Sequence, residues 1–360
     1  LKPAVEYTSV INLATVEGFQ RNSSGTRSLL LGVDISILLE SCAATLRTAG
    51  LRLPWAEIPA LKIFFYQLCQ FSKAPITLIF VFDGPLRPTF KRGKQVIHCP
   101  TSLTEHVKNL IVHFGYYYHE APAEAEAELA KLNALGYLYG ILTDDSDALV
   151  FGAQRVIRTT GSPTVNDVCH MYTADQIENT AGVGLSTDGL LLFAVLSGGD
   201  YNTGLARCGP VIAHSLALGG FGKRLVEALT SLGEVTLRRA LNGWHEDLRA
   251  QLRTNSAGLL PCRYGSLAAS VPDTFPNVAH ARRYLNPLTS WLPEYSGLEP
   301  DTNWLPREPH IRDITAFCVD RFGWTDSGDF SSGLLKRFRR NLWAGVAHRM
   351  LSSVGPSFLN

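Results

Sequence analysis

The sequence predicts an α/β chain built on a doubly wound, mostly parallel sheet flanked by helices, and three observations carry that prediction. Short, near-continuous apolar runs recur, as expected of strands buried on both faces. Amphipathic helical segments alternate with them. Each run ends in aspartate, at the strand ends beyond which such sheets bind ligands. The first run is Leu29–Val33, followed by Asp34; the second is Ile76–Phe82, followed by Asp83. The third is Leu138–Leu142, followed by Thr143-Asp-Asp-Ser-Asp147. Between the first two, Pro54–Ser72 is predicted helical, with apolar residues at Ile58, Leu61, Phe65 and Leu68 and Pro75 beyond its end. Before the third, the Ala/Glu/Leu-rich segment Ala123–Leu135 is a predicted helix stopped by Gly136.

Beyond about residue 170 the pattern turns helical. Thr173-Ala-Asp-Gln176 opens with a capping box, and Ser186 caps a helix over Thr187–Leu196. A glycine-punctuated turn, Ser197 to Pro210, leads into Val211–Leu218; Phe221–Leu232 and Val235–Thr254 follow, the latter bearing Arg238 and Arg239. Residues 255–309 are rich in Pro, Gly and Asn and give no clear pattern. His310–Trp324 and Leu334–Leu351 are predicted helical again, with Lys336 and Arg337 opening a basic run. The expected organisation is an α/β core over 1–184, a helical region over 185–254 and a mainly helical extension over 255–360.

Composition narrows the function. Of 360 residues, 46% are apolar and 18% charged, which describes a globular chain. Seven cysteines, never in C-x-x-C spacing, predict reduced, packed thiols of an intracellular protein and no zinc site. No apolar stretch approaches the ~20 residues of a membrane span, and no secretory leader pattern opens the chain.

The chemistry is expected in seven carboxylates: Asp34, Asp83, Glu124, Glu126, Asp145, Asp147 and Asp200. Singly, each has an ordinary explanation as a turn residue or helix cap. The strand-end aspartates are expected to share one sheet edge, with the Glu124 helix following a connection to it, and two like charges ~4 Å apart repel by ~4 kcal/mol at an effective dielectric of ~20. Cations offset such repulsion. An all-oxygen donor set points to Mg²⁺ or Mn²⁺, and the surplus of acids points to two ions, the arrangement of phosphoryl-transfer enzymes. Glu124 and Glu126, two apart, converge only if one sits at the frayed start of its helix or acts through water.

The order Asp34, Phe82-Asp-Gly84, Ala121-Pro-Ala-Glu-Ala-Glu-Ala127, Thr143-Asp-Asp-Ser-Asp147 and Ser197-Gly-Gly-Asp-Tyr201 resembles the XPG/flap-endonuclease family over roughly residues 1–235. Within it, the Gly198–Pro210 turn and Pro309–Trp324 look most like fungal Holliday-junction resolvases. The resemblance implies a PIN-like nuclease core with a helix-two-turn-helix and a C-terminal helical extension. It implies that Glu124, Glu126, Asp145 and Asp147 hold a first Mg²⁺, with Asp34 and Asp83 beside them, and that Asp200 holds a second; Mn²⁺ is the expected substitute. It implies attack of an activated water on the scissile phosphate, leaving a 3′-hydroxyl and a 5′-phosphate, with Lys91 and Arg92 neutralising charge. Gly198, Gly204, Arg207 and Gly209 would hold a duplex arm, with K⁺ as a candidate ion there. Lys94, Arg238, Arg239, Lys336 and Arg337 are the further DNA-binding candidates.

The implied activity is structure-specific cleavage of branched double-stranded DNA, by paired nicks of a homodimer on a four-way junction. The alternatives are a flap or bubble endonuclease, a silent junction-binding scaffold and a two-metal phosphatase. A nuclear protein with neither a small-molecule cofactor nor a membrane partner is expected. The chain departs from the family at its start, Leu1-Lys2-Pro3, which lacks a Met-Gly opening. It also departs at a shortened stretch between Asp83 and Glu124, and at Ile37–Leu39, where an aromatic wedge is usual. The formal charge of +1 does not argue against DNA: without the seven candidate acids, 25 acidic residues face 33 basic ones, a net +8.

Overall fold

The computed structural model describes residues 1–360 except 23–25, 52–55, 89, 92–93, 96–100, 160–166, 232, 296, 326–332 and 354–360; of 90, 91, 94, 95, 101, 352 and 353 it describes the backbone only. The strands are β1 (Glu6–Ser9), β2 (Leu29–Asp34), β3 (Ile76–Phe82), β4 (Phe90–Lys91), β5 (Lys94–Gln95), β6 (Tyr117–Glu120), β7 (Gly140–Leu142), β8 (Arg155–Thr159) and β9 (Val168–Thr173). Among the described residues, seven of them form one sheet in the order β1-β9-β8-β7-β2-β3-β6, and β4 and β5 form a separate hairpin. The β8-β7-β2-β3-β6 run is parallel, and β9 and β1 extend it antiparallel.

The expected sheet is therefore present, and the three apolar runs form its centre. All seven positions of β3 are buried. Its side chains alternate between the two layers: Ile79 and Val81 join the core that includes Leu129, Leu192 and Trp244, whereas Leu78 and Phe80 join that of Phe65, Phe114 and Phe338. Sequence reasoning missed β1, β6, β8 and β9. These strands carry polar residues at exposed or half-buried positions, as in the Tyr-Tyr-His-Glu of β6, and so show no continuous apolar run.

Register aligns the chemistry. Asp34 lies opposite Val81, Val33 opposite Leu142, and Phe82 opposite Glu120, so the ends of β2, β3 and β7 finish at one level. Gly84 completes that edge: a Cβ there would stand 1.8 Å from the Ala121 carbonyl oxygen, so only glycine permits this approach.

Three expected boundaries shift. The helix expected over 54–72 runs Glu57–Phe71, with Pro54 outside the described residues. The single helix expected over 334–351 is two, Leu334–Asn341 and Trp343–Ser353, meeting at the fully buried Leu342. Residues 255–309 contain the helices Gly265–Ser270 and Val278–Leu285. The last helices close over the first half of the chain through Phe65, whose ring lies 5.5 Å from Phe114, 6.0 Å from Phe322, 5.4 Å from Trp324 and 6.3 Å from Phe338.

Among the described residues six cysteines are free, and burial pushes the Cys42 and Cys318 thiols up to about 12. Phe65 is fully buried, so Phe65→Ala should destabilise the chain by about 3–5 kcal/mol in denaturant titration, from lost transfer energy and a residual cavity.

Candidate active site

Carboxylate oxygens of Glu126, Asp145 and Asp200 all lie within 4.8 Å of one another. Three elements bring them there. Glu126 sits in the first turn of the Ala125–Ala134 helix, Asp145 in the loop after β7, and Asp200 in the turn after the Thr187–Ser197 helix. Opposite oxygens of an octahedral Mg²⁺ at 2.0–2.1 Å stand roughly 4.2 Å apart, so the spacing and the all-oxygen donors fit a hard divalent cation. Asp34 lines the same cleft of about 680 Å³ as Glu126 and Asp145, together with Ser36, Ile37 and Asp144. Burial pushes the Asp144 carboxyl up, against the pull of Arg158.

The structure places the acids at different points around the site. Asp200, expected as a ligand of a second ion ~3.5–4 Å from the first, lies in one cluster with Glu126 and Asp145. Glu124 is the N-cap residue of its helix, one residue before the helical geometry begins, and its carboxylate accepts a hydrogen bond from the Tyr201 hydroxyl. It lines a second cavity of about 380 Å³ with Tyr201, Arg282 and Arg283, so the two glutamates two apart face different spaces. Glu124 has the extended backbone of an N-cap, so its side chain leaves the chain in a different direction from that of Glu126 inside the helix.

Hydrogen bonds hold the remaining acids beside the cluster. Asp34 Oδ1 accepts from the Ser36 N–H at 2.8 Å and so caps the Ile35–Thr48 helix. Asp83 Oδ1 accepts from the Ala125 N–H at 3.0 Å; its Oδ2 accepts from the Ser36 hydroxyl at 3.3 Å and pairs with Arg87 at 2.5 Å. Asp83 thereby anchors the start of the Glu126 helix. Asp147 donates its N–H to Asp145 Oδ1 at 2.9 Å, and its Oδ2 accepts from the Tyr284 hydroxyl at 3.2 Å. Burial and the nearby Asp147 carboxylate raise the Tyr284 phenol, which stays protonated.

Sequence reasoning assigned no role to Ser36, Arg87, Tyr201 or Tyr284. Tyr201 is adjacent to Asp200, and that proximity was the available signal. Tyr284 lies 137 residues from Asp147, in a segment without pattern, so nothing local pointed to it.

The other candidates divide. Gly198 and Gly204 adopt φ of +93° and +75°, and a Cβ on Gly204 would stand 2.6 Å from the Gly198 nitrogen, so the turn is packed backbone to backbone. Asn202 Oδ1 ties it by accepting from the N–H groups of Gly199 and Gly204, both at 3.2 Å. Gly209 then caps the Pro210–Leu218 helix without a side-chain hydrogen bond, and Arg207 is exposed beside it at φ +67°. Lys91 and Lys94 pair through the β4–β5 backbone; their side chains, Arg92 and His98 lie outside the described residues. Arg238 pairs with Glu234 at 2.8 Å on an open surface, and such exposed pairs contribute little to stability. The Arg337 guanidinium packs 4.8 Å from the Trp324 ring centroid and donates to the Tyr66 hydroxyl at 3.3 Å. It closes the core edge. Lys336 beside it is half-buried.

With this geometry in place, comparison with known proteins is specific. The XPG I-region family matches residues 115–200, which include Glu124, Glu126, Asp145, Asp147 and Asp200. The DNA excision repair protein ERCC-5 homolog of Xenopus laevis is 29% identical over 217 residues, covering 60% of this chain and 16% of its own length. Flap endonuclease GEN homolog 1 of Mus musculus is 28% identical over 236 residues, covering 61% of this chain and 25% of its own. The chain thus spans about a quarter or less of these relatives. The solved Holliday junction-resolving enzyme GEN1, in complex with product DNA and Mg²⁺, matches with a TM-score of 0.72 and 28% identity, covering 96% of this chain and 76% of that one. The catalytic core of Rad2 with DNA substrate shares the fold at a TM-score of 0.63. Residues 115–200 thus match the XPG I-region, and the chain is similar in sequence and fold to XPG/flap-endonuclease proteins.

If the cluster binds a cation, removing one acid has opposite effects with and without it. In EDTA, Asp200→Asn should melt at or above the unsubstituted chain, because mutual repulsion is relieved. In excess Mg²⁺ it should melt below it, because the cation binds the folded state less tightly. Melting curves in both buffers check this.

Proposed function

We propose that this chain is a Mg²⁺-dependent, structure-specific DNA endonuclease that resolves four-way junctions by paired nicks from two protomers. The observation that carries the reading is the Glu126–Asp145–Asp200 cluster at the ends of the parallel strands. Glu126, Asp145 and Asp200 would hold the cation, with Asp34 in the same cleft and Glu124 and Asp147 adjoining. Two Mg²⁺ ions, or Mn²⁺ in their place, would supply charge neutralisation and Lewis acidity at a scissile phosphodiester.

The protein's own part is placement. Asp83 anchors the start of the Glu126 helix, and Asp147 orients Asp145 through its N–H. Lys91, with Arg92 and Lys94, would meet the phosphate from the hairpin side. The amides at the start of the Pro210–Leu218 helix, with Gly198, Gly204, Arg207 and Gly209, would hold one duplex arm by its backbone, with K⁺ as the bridging ion there. Arg238, Arg239 and Lys336 would extend that contact. Selectivity then comes from the geometry of duplex arms, with little base readout. A nuclear site of action and a homodimer formed on the junction accompany this reading. The GEN1 likeness favours junctions. The likeness to Flap endonuclease GEN homolog 1 supports a second reading, cleavage of flaps or bubbles by the same chemistry.

Two measurements test the proposal. With labelled substrates and Mg²⁺, paired symmetric nicks in a four-way junction are expected; strong flap cutting with an inert junction would establish the second reading instead. Asp145→Asn should lower the cleavage rate by several orders of magnitude while junction affinity in Ca²⁺ stays within about threefold, since phosphate contacts dominate binding. Arg238→Glu with Arg239→Glu should do the reverse: affinity falls, and its dependence on salt flattens by roughly one to two in slope.

A further inference from the structure

Residues 255–309 carry no recognisable motif, yet they deliver one side chain to the floor of the acidic site. Tyr284, on the Val278–Leu285 helix, is 1% exposed. Its ring packs at 4.8 Å from Tyr201 and 5.5 Å from Phe151, so its hydroxyl has little freedom of position. That hydroxyl donates to Asp147 Oδ2 at 3.2 Å and also meets the backbone of Asp200. Asp147 in turn donates its N–H to Asp145 Oδ1 at 2.9 Å. One oxygen atom thus stands between the loop that carries Asp145 and the turn that carries Asp200. The turn is shaped to receive it: a Cβ on Gly199 would lie 2.4 Å from the Tyr284 hydroxyl oxygen, whereas its next contact in the ring is 3.5 Å away.

We propose that the Tyr284 hydroxyl is a positioning group that sets the spacing between the Thr143–Asp147 loop and the Gly199–Asp200 turn, and with it the divalent-cation affinity of the Glu126–Asp145–Asp200 cluster. The inference rests on the reading of that cluster as the cation site. The physical reason is direct. Asp145 and Asp200 come from elements that do not pair with each other, and their like charges push them apart when no cation is bound. A fixed hydroxyl that donates to Asp147 on one side and packs against Gly199 on the other resists that drift and keeps the carboxylate oxygens at binding distance. Groups that orient ligands in this way typically change affinity 10–100-fold when removed.

The test uses the full chain, without DNA, titrated with Mn²⁺ and followed by electron paramagnetic resonance. Tyr284→Phe keeps the ring packing and removes the hydroxyl; its Mn²⁺ affinity should fall roughly 10-fold or more. Its nicking of a four-way junction should need a correspondingly higher Mg²⁺ concentration for half-maximal rate, with the maximal rate largely recovered at saturation. Gly199→Ala supplies an independent arm. Alone it should displace the hydroxyl and weaken Mn²⁺ binding, but in the Tyr284→Phe background it should cause little further loss, because the clashing atom is gone. Unchanged Mn²⁺ affinity and half-saturating Mg²⁺ in Tyr284→Phe overturn the proposal, as do fully additive losses in the double variant. Should the unsubstituted chain bind no Mn²⁺ and nick no branched DNA, the nuclease reading itself fails and takes this inference with it.

Discussion

Everything at the site follows from forcing like charges together at the ends of parallel strands. Carboxylates of Glu126, Asp145 and Asp200 with oxygens within 4.8 Å of one another repel strongly in a half-buried cleft. The fold holds them there because the strand register fixes the ends of β3 and β7, Asp83 at the end of β3 ties down the Glu126 helix, and the helical half carries Asp200 onto that edge. A slip of one residue would exchange the faces of β3, whose seven positions are all buried. The hydrophobic layers therefore hold in place an arrangement that electrostatics alone opposes, and a cation is what turns that opposition into binding.

The acids around the cluster also carry structural work. Asp34 caps a helix, Asp83 holds the first turn of another, and Asp147 braces Asp145. The ordinary explanation for each of these residues and the functional one are thus both satisfied by the same hydrogen bonds. A cap fixes a carboxylate in one orientation, and a fixed carboxylate is a better ligand than a mobile one. The tyrosines Tyr201 and Tyr284 extend this logic by donating to Glu124 and Asp147 from the helical half of the chain. The geometry of the acidic site is a property of the contact between the sheet and the helices that follow it.

The basic surface shows the same division of labour in reverse. Arg238 stands in solvent with one exposed partner on its own helix, whereas Arg337, a close neighbour of Lys336 in sequence, is folded onto Trp324. A run of positive charge in sequence does not distinguish a phosphate-binding cation from a guanidinium that covers an aromatic ring. Only the position of the ring decides it.

The sequence by itself determined the central strands, most of the helices and the acids at the strand ends, because burial on both faces writes a continuous apolar run and each run stops at its aspartate. The edge strands β1, β6, β8 and β9 were not legible, since a half-exposed strand alternates or turns polar and looks like loop. Nor were the grouping of the acids and the part played by Tyr284. Which carboxylates converge depends on where the Ala125–Ala134 helix begins: Glu126 inside it lines the cleft, and Glu124 at its N-cap lines the neighbouring cavity. What braces them depends on a side chain 137 residues from its partner. Local pattern records how each segment is buried; it holds no record of which distant segment does the burying, and that was decided only by the tertiary structure.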